Sequence, residues 1–170
     1  MTVRIRKPQL IGLIVIGIAL GSSFARSSAQ SPHDLLLEPE SPKLNRRAPD
    51  NFSVKLQTTK GSIFIELHRA WGPHGVDRFY NLVALGYYNE SAIFRVIAGK
   101  WAQFGINGNP DIAQAWRTRT IPDDPRVESN VRGTVFFAFK DANGRATQAV
   151  INLRDNSEAF NKEPSCPSAK

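Results

Sequence analysis

Two stretches in the first half of the chain alternate apolar and polar residues, the pattern of strands with one buried face. The first covers residues 52–57 and the second residues 63–68, and Thr59, Lys60 and Gly61 lie between them. A glycine in this connection can adopt the positive φ that tight hairpin turns require. The two stretches are therefore predicted to form a β-hairpin.

A helical period follows the hairpin. Gly72 and Pro73 are typical of a helix start, and Gly86 of a helix end. Between them, four apolar residues recur at helical spacing: Val76, Phe79, Tyr80 and Val83. The polar residues of the same segment are predicted to face solvent, namely Asp77, Arg78 and Asn81.

Four short apolar runs follow and read as strands, at residues 92–97, 101–106, 135–139 and 149–153. Residues 141–144 form a strong turn signal between the last two. The intervening residues 108–131 contain prolines and no clear period, and are predicted to be an irregular loop. Many short strands with one helix indicate a mainly β domain, an antiparallel β-barrel that is closed or nearly closed.

The amino-terminal segment has the order of regions of a secretory signal peptide. A basic start is followed by an apolar run over residues 10–20 and by small residues up to Ala29. Residues 1–29 are therefore predicted to be a signal peptide, with an uncleaved membrane anchor as the alternative. The expected location is secreted or periplasmic, or membrane-anchored if the signal is retained.

Residues 30–51 are rich in proline and charge and are predicted to be a flexible linker. The net charge of +7 falls to +3 when Arg4, Arg6, Lys7 and Arg26 are removed with the signal. That value is ordinary for a solvated surface and speaks against a nucleic-acid partner. The single cysteine, Cys166, excludes an internal disulfide framework.

Familiar catalytic and metal-binding patterns do not occur in the sequence. His33, His68 and His74 lack the spacing of metal ligands and are interpreted as solvent-facing. What stands out is Arg95 within an apolar strand, eight residues before Gln103. An arginine there is costly unless it lies at a cleft or extends to water, and the residues alone leave both readings open.

The segment from Phe94 to Gly108 resembles the signature of the cyclophilin family of peptidyl-prolyl cis-trans isomerases. Phe94-Arg95 and residues 103–108 are similar to a bacterial form of that signature, in which phenylalanine-phenylalanine-arginine leads to glutamine-phenylalanine-glycine-isoleucine-asparagine-glycine. Residues 58–67, 121–125, 133–135 and 148–152 also resemble family segments in the same order. The resemblance covers about residues 52–156.

This resemblance implies a cyclophilin-like barrel that isomerises X-Pro peptide bonds without a cofactor or metal, in proline-containing peptides or unfolded proteins. It assigns Arg95 to catalysis, and it assigns to substrate binding Trp101, Gln103, Ala138, Gln148 and Val150. Lys100 and Val150 stand where the family has pocket phenylalanines, and Ala98 replaces a proline. A catalytically weak proline-binding module is therefore the alternative.

The carboxyl-terminal residues 157–170 do not resemble the family's continuation, which supplies further strands, a second helix and part of the pocket wall. The domain is accordingly predicted to span residues 52–156, followed by a divergent tail that supplies none of these elements. On this interpretation the barrel is incomplete and the chain is truncated. A non-functional truncation product is the third possible interpretation.

Overall fold

The computed structural model of the protein describes residues 1–6, 30–162 and 167–169. In this part of the chain the strands are β1 (Thr2–Arg6), β2 (Asn51–Thr58), β3 (Gly61–His68), β4 (Arg95–Ile97), β5 (Trp101–Phe104), β6 (Val135–Phe137), β7 (Ala149–Asn152) and β8 (Pro167–Ala169). The α-helices are α1 (Pro32–Leu36), α2 (Pro73–Ala84), α3 (Pro110–Trp116) and α4 (Ser157–Phe160). Short 3₁₀ turns occupy Pro42–Leu44 and Arg69–Trp71.

The strands form one antiparallel sheet in the order β1-β2-β3-β8-β6-β7-β5-β4. The predicted hairpin is β2 and β3, with Val54 opposite Ile65 and Leu56 opposite Ile63. Val54, Leu56 and Ile65 are buried together with the apolar side chains of α2, and Ile63 is partly buried against them, as the alternation predicted. Among the described strands, no ladder joins β1 to β4, so these two form the edges of the curved sheet.

Helix α2 lies where the helical period predicted it, but its polar side is not left to solvent. Asn81 is only 2% exposed, because its side chain donates to the Arg46 carbonyl at 2.7 Å and accepts from the Arg46 amide at 3.3 Å. Asp77, one turn earlier, accepts the Ala48 amide at 2.8 Å. The prediction that these polar residues face solvent is wrong, since the segment preceding β2 lies across them.

The same contacts correct the prediction of a flexible linker at residues 30–51. Its Leu35, Leu36 and Leu44 are buried in the main apolar core. The Trp116 indole of α3 donates to the Leu36 carbonyl at 2.7 Å. The leucines form one short cluster and one isolated position, which gives no periodic signal, yet each of the three packs in the apolar core of the folded domain.

The predicted irregular loop at 108–131 contains helix α3. Asn109 caps its first turn by accepting the amides of Asp111 and Ile112, and Pro110 occupies the first helical position. Ile112 and Trp116 lie one turn apart and are both buried. The helix is short, which is why its period did not stand out from the surrounding prolines.

A buried ion pair between Asp124 and Arg145 holds the second half of the loop 108–131 against the start of α2. Asp124 accepts the amides of His74 and Gly75 in the first turn of α2, at 2.8 and 2.9 Å. Arg145 donates to Asp124 at 2.9 Å, and both side chains are fully buried. Asp124 therefore serves as the missing side-chain cap of α2, whose own N-cap residue is Gly72.

The carboxyl-terminal segment supplies structure that the sequence did not predict. Strand β8 lies between β3 and β6, and Ala169 faces both Leu67 and Val135. Ala169 is 2% exposed and belongs to the core. The expectation that residues 157–170 contribute neither a strand nor a helix is therefore wrong, because β8 and the one-turn helix α4 both lie in this segment.

The amino terminus also differs from expectation within the part that is described. Thr2–Arg6, the predicted basic start of a signal peptide, form edge strand β1 against β2. The predicted apolar run at residues 10–20 lies outside the described residues. Among the helices that are described, none has the length and apolar character needed to cross a membrane.

Candidate functional site

Four side chains form a row across the outer face of the sheet. Arg95 on β4 is opposite Gln103 on β5, Gln103 is opposite Val150 on β7, and Val150 is opposite Phe136 on β6. Directly opposed residues of antiparallel strands have their Cβ atoms about 4.5 to 5.5 Å apart on the same face. The row therefore runs from a cation through an amide to an apolar end.

Arg95 is exposed at the cationic end of the row. Its guanidinium lies 4.7 Å from the centre of the Trp101 ring, within the range of a cation–π contact. No carboxylate in the described residues forms a salt bridge with Arg95, so its charge stays available. Arg95 therefore reaches solvent and at the same time rests against an aromatic ring, so both readings of this residue left open by the sequence are compatible with its position.

Gln103 and Gln148 form the polar middle of the site. The Gln103 amide group donates to the Gln148 side-chain oxygen at 2.7 Å. Gln148 also accepts the Ala138 amide through its backbone carbonyl at 2.8 Å. These contacts bring together Gln103, Gln148 and Ala138, three of the predicted binding residues, although 35 or more positions separate Gln103 from the other two.

Buried hydroxyl groups hold the segment that carries Gln148. The Tyr88 hydroxyl donates to the Thr147 carbonyl at 2.9 Å, and the Thr147 hydroxyl donates to the Gly105 carbonyl at 3.0 Å. Burial raises the pKa of Tyr88 well above its usual value. The phenol therefore stays protonated and remains a donor at physiological pH.

The apolar end of the row consists of Val150 and Phe136, which are 6% and 4% exposed. The ring of Phe160 from α4 lies over Phe136, with ring centres 5.1 Å apart. Neither phenylalanine was predicted as a site residue. The apolar run at residues 135–139 marks Phe136 as a strand residue but gives no sign of the face it occupies, and Phe160 lies in the tail that showed no family pattern.

Asn156 positions α4 and so Phe160. Its side-chain amide donates to the Lys100 carbonyl and to the Asn152 side chain, at 2.9 and 2.8 Å. Lys100 thus contributes its backbone to the support of the site, while its side chain is exposed in the turn between β4 and β5. At position 100, where the family has a pocket phenylalanine, this chain therefore places no apolar side chain.

Comparisons with known protein families, sequences and structures identify the family to which this fold and the residues of the row belong. The family model of cyclophilin type peptidyl-prolyl cis-trans isomerase/CLD matches residues 53–164. The chain belongs to the cyclophilin family. The resemblance inferred from Phe94 to Gly108 is therefore confirmed, as is a mainly β cyclophilin-like fold.

Two curated cyclophilin relatives match the same region. The chain is 33% identical over 107 residues to peptidyl-prolyl cis-trans isomerase-like 3 of Neurospora crassa, covering 58% of this chain and 64% of the relative. It is 31% identical over 108 residues to peptidyl-prolyl cis-trans isomerase cyp18 of Streptomyces antibioticus, covering 61% and 63%. The chain thus spans less than two thirds of either relative.

Solved cyclophilin structures share the fold. A cyclophilin type isomerase of Cryptosporidium parvum superposes with a TM-score of 0.58 at 19% identity, covering 70% of this chain and 75% of that one. A second structure of that protein, in the presence of the dipeptide Ala-Pro, gives a TM-score of 0.57 at 20% identity, with 69% and 75% covered. The roles of Arg95, Trp101, Gln103, Ala138, Gln148 and Val150 stay predictions.

Proposed function

We propose that the protein is a peptidyl-prolyl cis-trans isomerase that acts on X-Pro bonds of peptides or unfolded proteins. The observation that carries this proposal is the row from Arg95 through Gln103 to Val150 and Phe136. It places an unpaired cation, amide groups and an apolar surface in line on one face. These are the features that a prolyl peptide in a twisted transition state can use.

The chemistry requires no bond to a cofactor or metal. Rotation about a peptide bond passes a barrier of about 18 to 20 kcal/mol, because the twisted amide loses its resonance. In the twisted state the proline nitrogen becomes pyramidal and gains a lone pair, to which the Arg95 guanidinium can donate. Such a hydrogen bond is stronger in the transition state than in the planar ground state, which is the condition for catalysis.

The other residues of the row bind the peptide on either side of that nitrogen. The amides of Gln103 and Gln148 can hydrogen-bond the substrate backbone and fix its orientation relative to Arg95. The proline ring would contact Val150 and Phe160 at the apolar end, next to Ala138. Each tenfold gain in rate needs about 1.4 kcal/mol, so a few charge-assisted contacts suffice for substantial acceleration.

A proline-binding module with slow turnover is the second candidate, and the burial of the apolar end favours it. Val150 and Phe136 expose little surface, and Lys100 adds no wall. A shallow apolar end would hold the ring loosely and exclude water poorly. Such a protein would bind proline peptides but rotate their bonds slowly.

A protease-coupled isomerisation assay on an alanine-proline peptide tests the proposal with the purified full chain. We expect measurable turnover, and Arg95→Ala should lower kcat/KM by at least about tenfold because the transition-state hydrogen bond is lost. Arg95→Lys should retain part of the activity. Arg117→Ala, which removes an exposed arginine at the end of α3, is the matched control.

Circular dichroism should show the same fold for all three variants. Turnover that is unaffected by Arg95→Ala would refute the catalytic role of this residue. Peptide binding by titration without any turnover would instead establish the second candidate.

We further propose that the protein is exported and acts on chains that fold outside the cytoplasm. The order of basic, apolar and small residues in positions 1–29 supports this. Retention of the segment would give a membrane-anchored form, and its cleavage a secreted or periplasmic one.

A further inference from the structure

Strand β1 is a well-packed part of the sheet although it consists of the basic start of the proposed signal. All five of its residues pair with β2, from Thr2 opposite Gln57 to Arg6 opposite Ser53. Val3 is 4% exposed and belongs to the same core as Val54 and Leu56. Burying such an apolar side chain favours the docked strand over the free one.

Polar contacts fix the register of β1 as well. The Val3 amide donates to the Asn89 side chain at 2.9 Å, and the Glu90 amide donates to the Met1 carbonyl. Glu90 has a φ of 59°, a left-handed conformation that is uncommon for a residue with a side chain. The turn after α2 thus hydrogen-bonds the first residues of the chain through both Asn89 and Glu90.

This docked position conflicts with the use of the same residues in export. When a leader inserts into a membrane, its basic residues stay on the cytoplasmic side, while the domain behind it is carried to the other side. Residues 2–6 and strand β2 would then lie on opposite sides of the membrane. One molecule can therefore have β1 paired or its leader inserted, but not both.

We propose that the outer edge of β2 is a binding site for the chain's own residues 2–6, and that their docking in the folded precursor withholds the leader from export. Folding of the domain before export then competes with export. Loss of residues 2–6 leaves β2 as an open edge, which is a surface for strand addition. The second half of this proposal rests on the proposed export, whereas the docking does not.

Disulfide trapping in the purified full chain tests the docking. In a Cys166→Ser background, Thr2→Cys combined with Gln57→Cys places two exposed cysteines directly opposite each other. Opposed Cα atoms lie about 4.5 to 5.5 Å apart, within the reach of a disulfide. We expect an intramolecular bond between positions 2 and 57, detected by mass spectrometry of the linked peptide.

The matched control combines Thr2→Cys with Ser53→Cys. Position 53 lies four residues along β2, about 13 Å from the partner of Thr2, which is too far for a bridge. The correct pair should oxidise at least about tenfold faster than the mismatched pair. Equal rates, no bond, or bonds formed only between two copies would overturn intramolecular docking.

Export kinetics of the full chain test the competition. Val3→Asp places a charge at a buried position and should release β1, whereas Thr2→Asp makes the same change of leader charge at an exposed one. We expect Val3→Asp to be exported at least about twofold faster than Thr2→Asp in pulse-chase fractionation. Equal rates, or no export of either variant, would refute the competition, and in the second case the trapping experiment still decides the docking.

Discussion

At the scale of single residues, Gly105 determines how closely β5 approaches the segment that carries Gln148. Its φ is +103°, and a Cβ atom there would lie 2.5 Å from the Thr147 carbonyl oxygen and 2.9 Å from the Gln148 Cα. Both contacts are with backbone and cannot be relieved by a side-chain rotation. The position of Gln148, and with it the hydrogen bond to Gln103, therefore depends on the absence of a side chain at residue 105.

Gly105→Ala should destabilise the protein by about 2 to 4 kcal/mol, since it combines backbone strain with a backbone clash. Activity should fall as well, because Gln148 is displaced. Denaturant unfolding and kcat/KM measure the two effects. The control is Gly99→Ala, which has a φ of +66° but no atom within 4 Å of the added Cβ, and should cost only about 1 to 2 kcal/mol. Equal losses of stability in the two variants would argue against a close approach between Gly105 and the backbone of Thr147 and Gln148.

At the scale of elements, helix α2 is joined to its surroundings through its polar side. Asp77 accepts hydrogen bonds from Arg69, which follows β3, at 2.9 Å, and from the Ala48 amide. Burial disfavours the charge of Asp77, but the hydrogen bonds from Arg69 and Ala48 outweigh it and lower the pKa of the carboxyl below 3.8. This carboxylate thus attaches both the hairpin and the segment preceding it to the helix.

Asp77→Asn should lower the free energy of unfolding at neutral pH by about 1 to 2 kcal/mol, near the lower range for hydrogen bonds to charged groups. Because the folded pKa is depressed, the contribution is present above pH 3.8 and is lost as the pH falls through the folded pKa. The difference between wild type and variant should therefore shrink below about pH 4. Urea unfolding at several pH values measures it.

Asp50→Asn is the control for Asp77→Asn, since Asp50 pairs with Arg47 on the exposed surface. Exposed pairs contribute about 0 to 1 kcal/mol. If Asp77→Asn lowers the free energy of unfolding no more than this control does, the segment before β2 is not held by α2.

At the scale of the whole molecule, β8 joins the two parts of the sheet. Strands β1, β2 and β3 lie on one side of it, and β6, β7, β5 and β4 lie on the other. Its Ala169 packs among Ile65, Leu67 and Phe79, where little space is left. The three residues of β8 thus connect the hairpin to the strands that carry the site.

Ala169→Glu should destabilise the fold by about 3 kcal/mol or more, because it buries a charge without a partner. Hydrogen exchange should accelerate in both β3 and β6, since each loses its neighbouring strand. Ala142→Glu, at an exposed turn position, is the matched control. Exchange in β3 and β6 that matches this control would show that the carboxyl-terminal segment does not pair with them.

The sequence determined those features that depend on local pattern. Alternation over residues 52–68 predicted β2 and β3, and helical spacing predicted α2 with its apolar face, because such periods follow from the geometry of each element. The resemblance identified the family and three residues of the row, namely Arg95, Gln103 and Val150. These features need no knowledge of distant neighbours.

Only the tertiary structure decided which surfaces are covered and by what. Asn81 is buried because Arg46 lies over it, and Phe136 is buried beneath Phe160. Segments 30–51 and 167–169, and the strand Thr2–Arg6, carry too few apolar residues for a period of their own. Each is ordered by a complementary edge or face that exists only after the hairpin and α2 have formed, and such complementarity leaves no regular trace in the linear sequence.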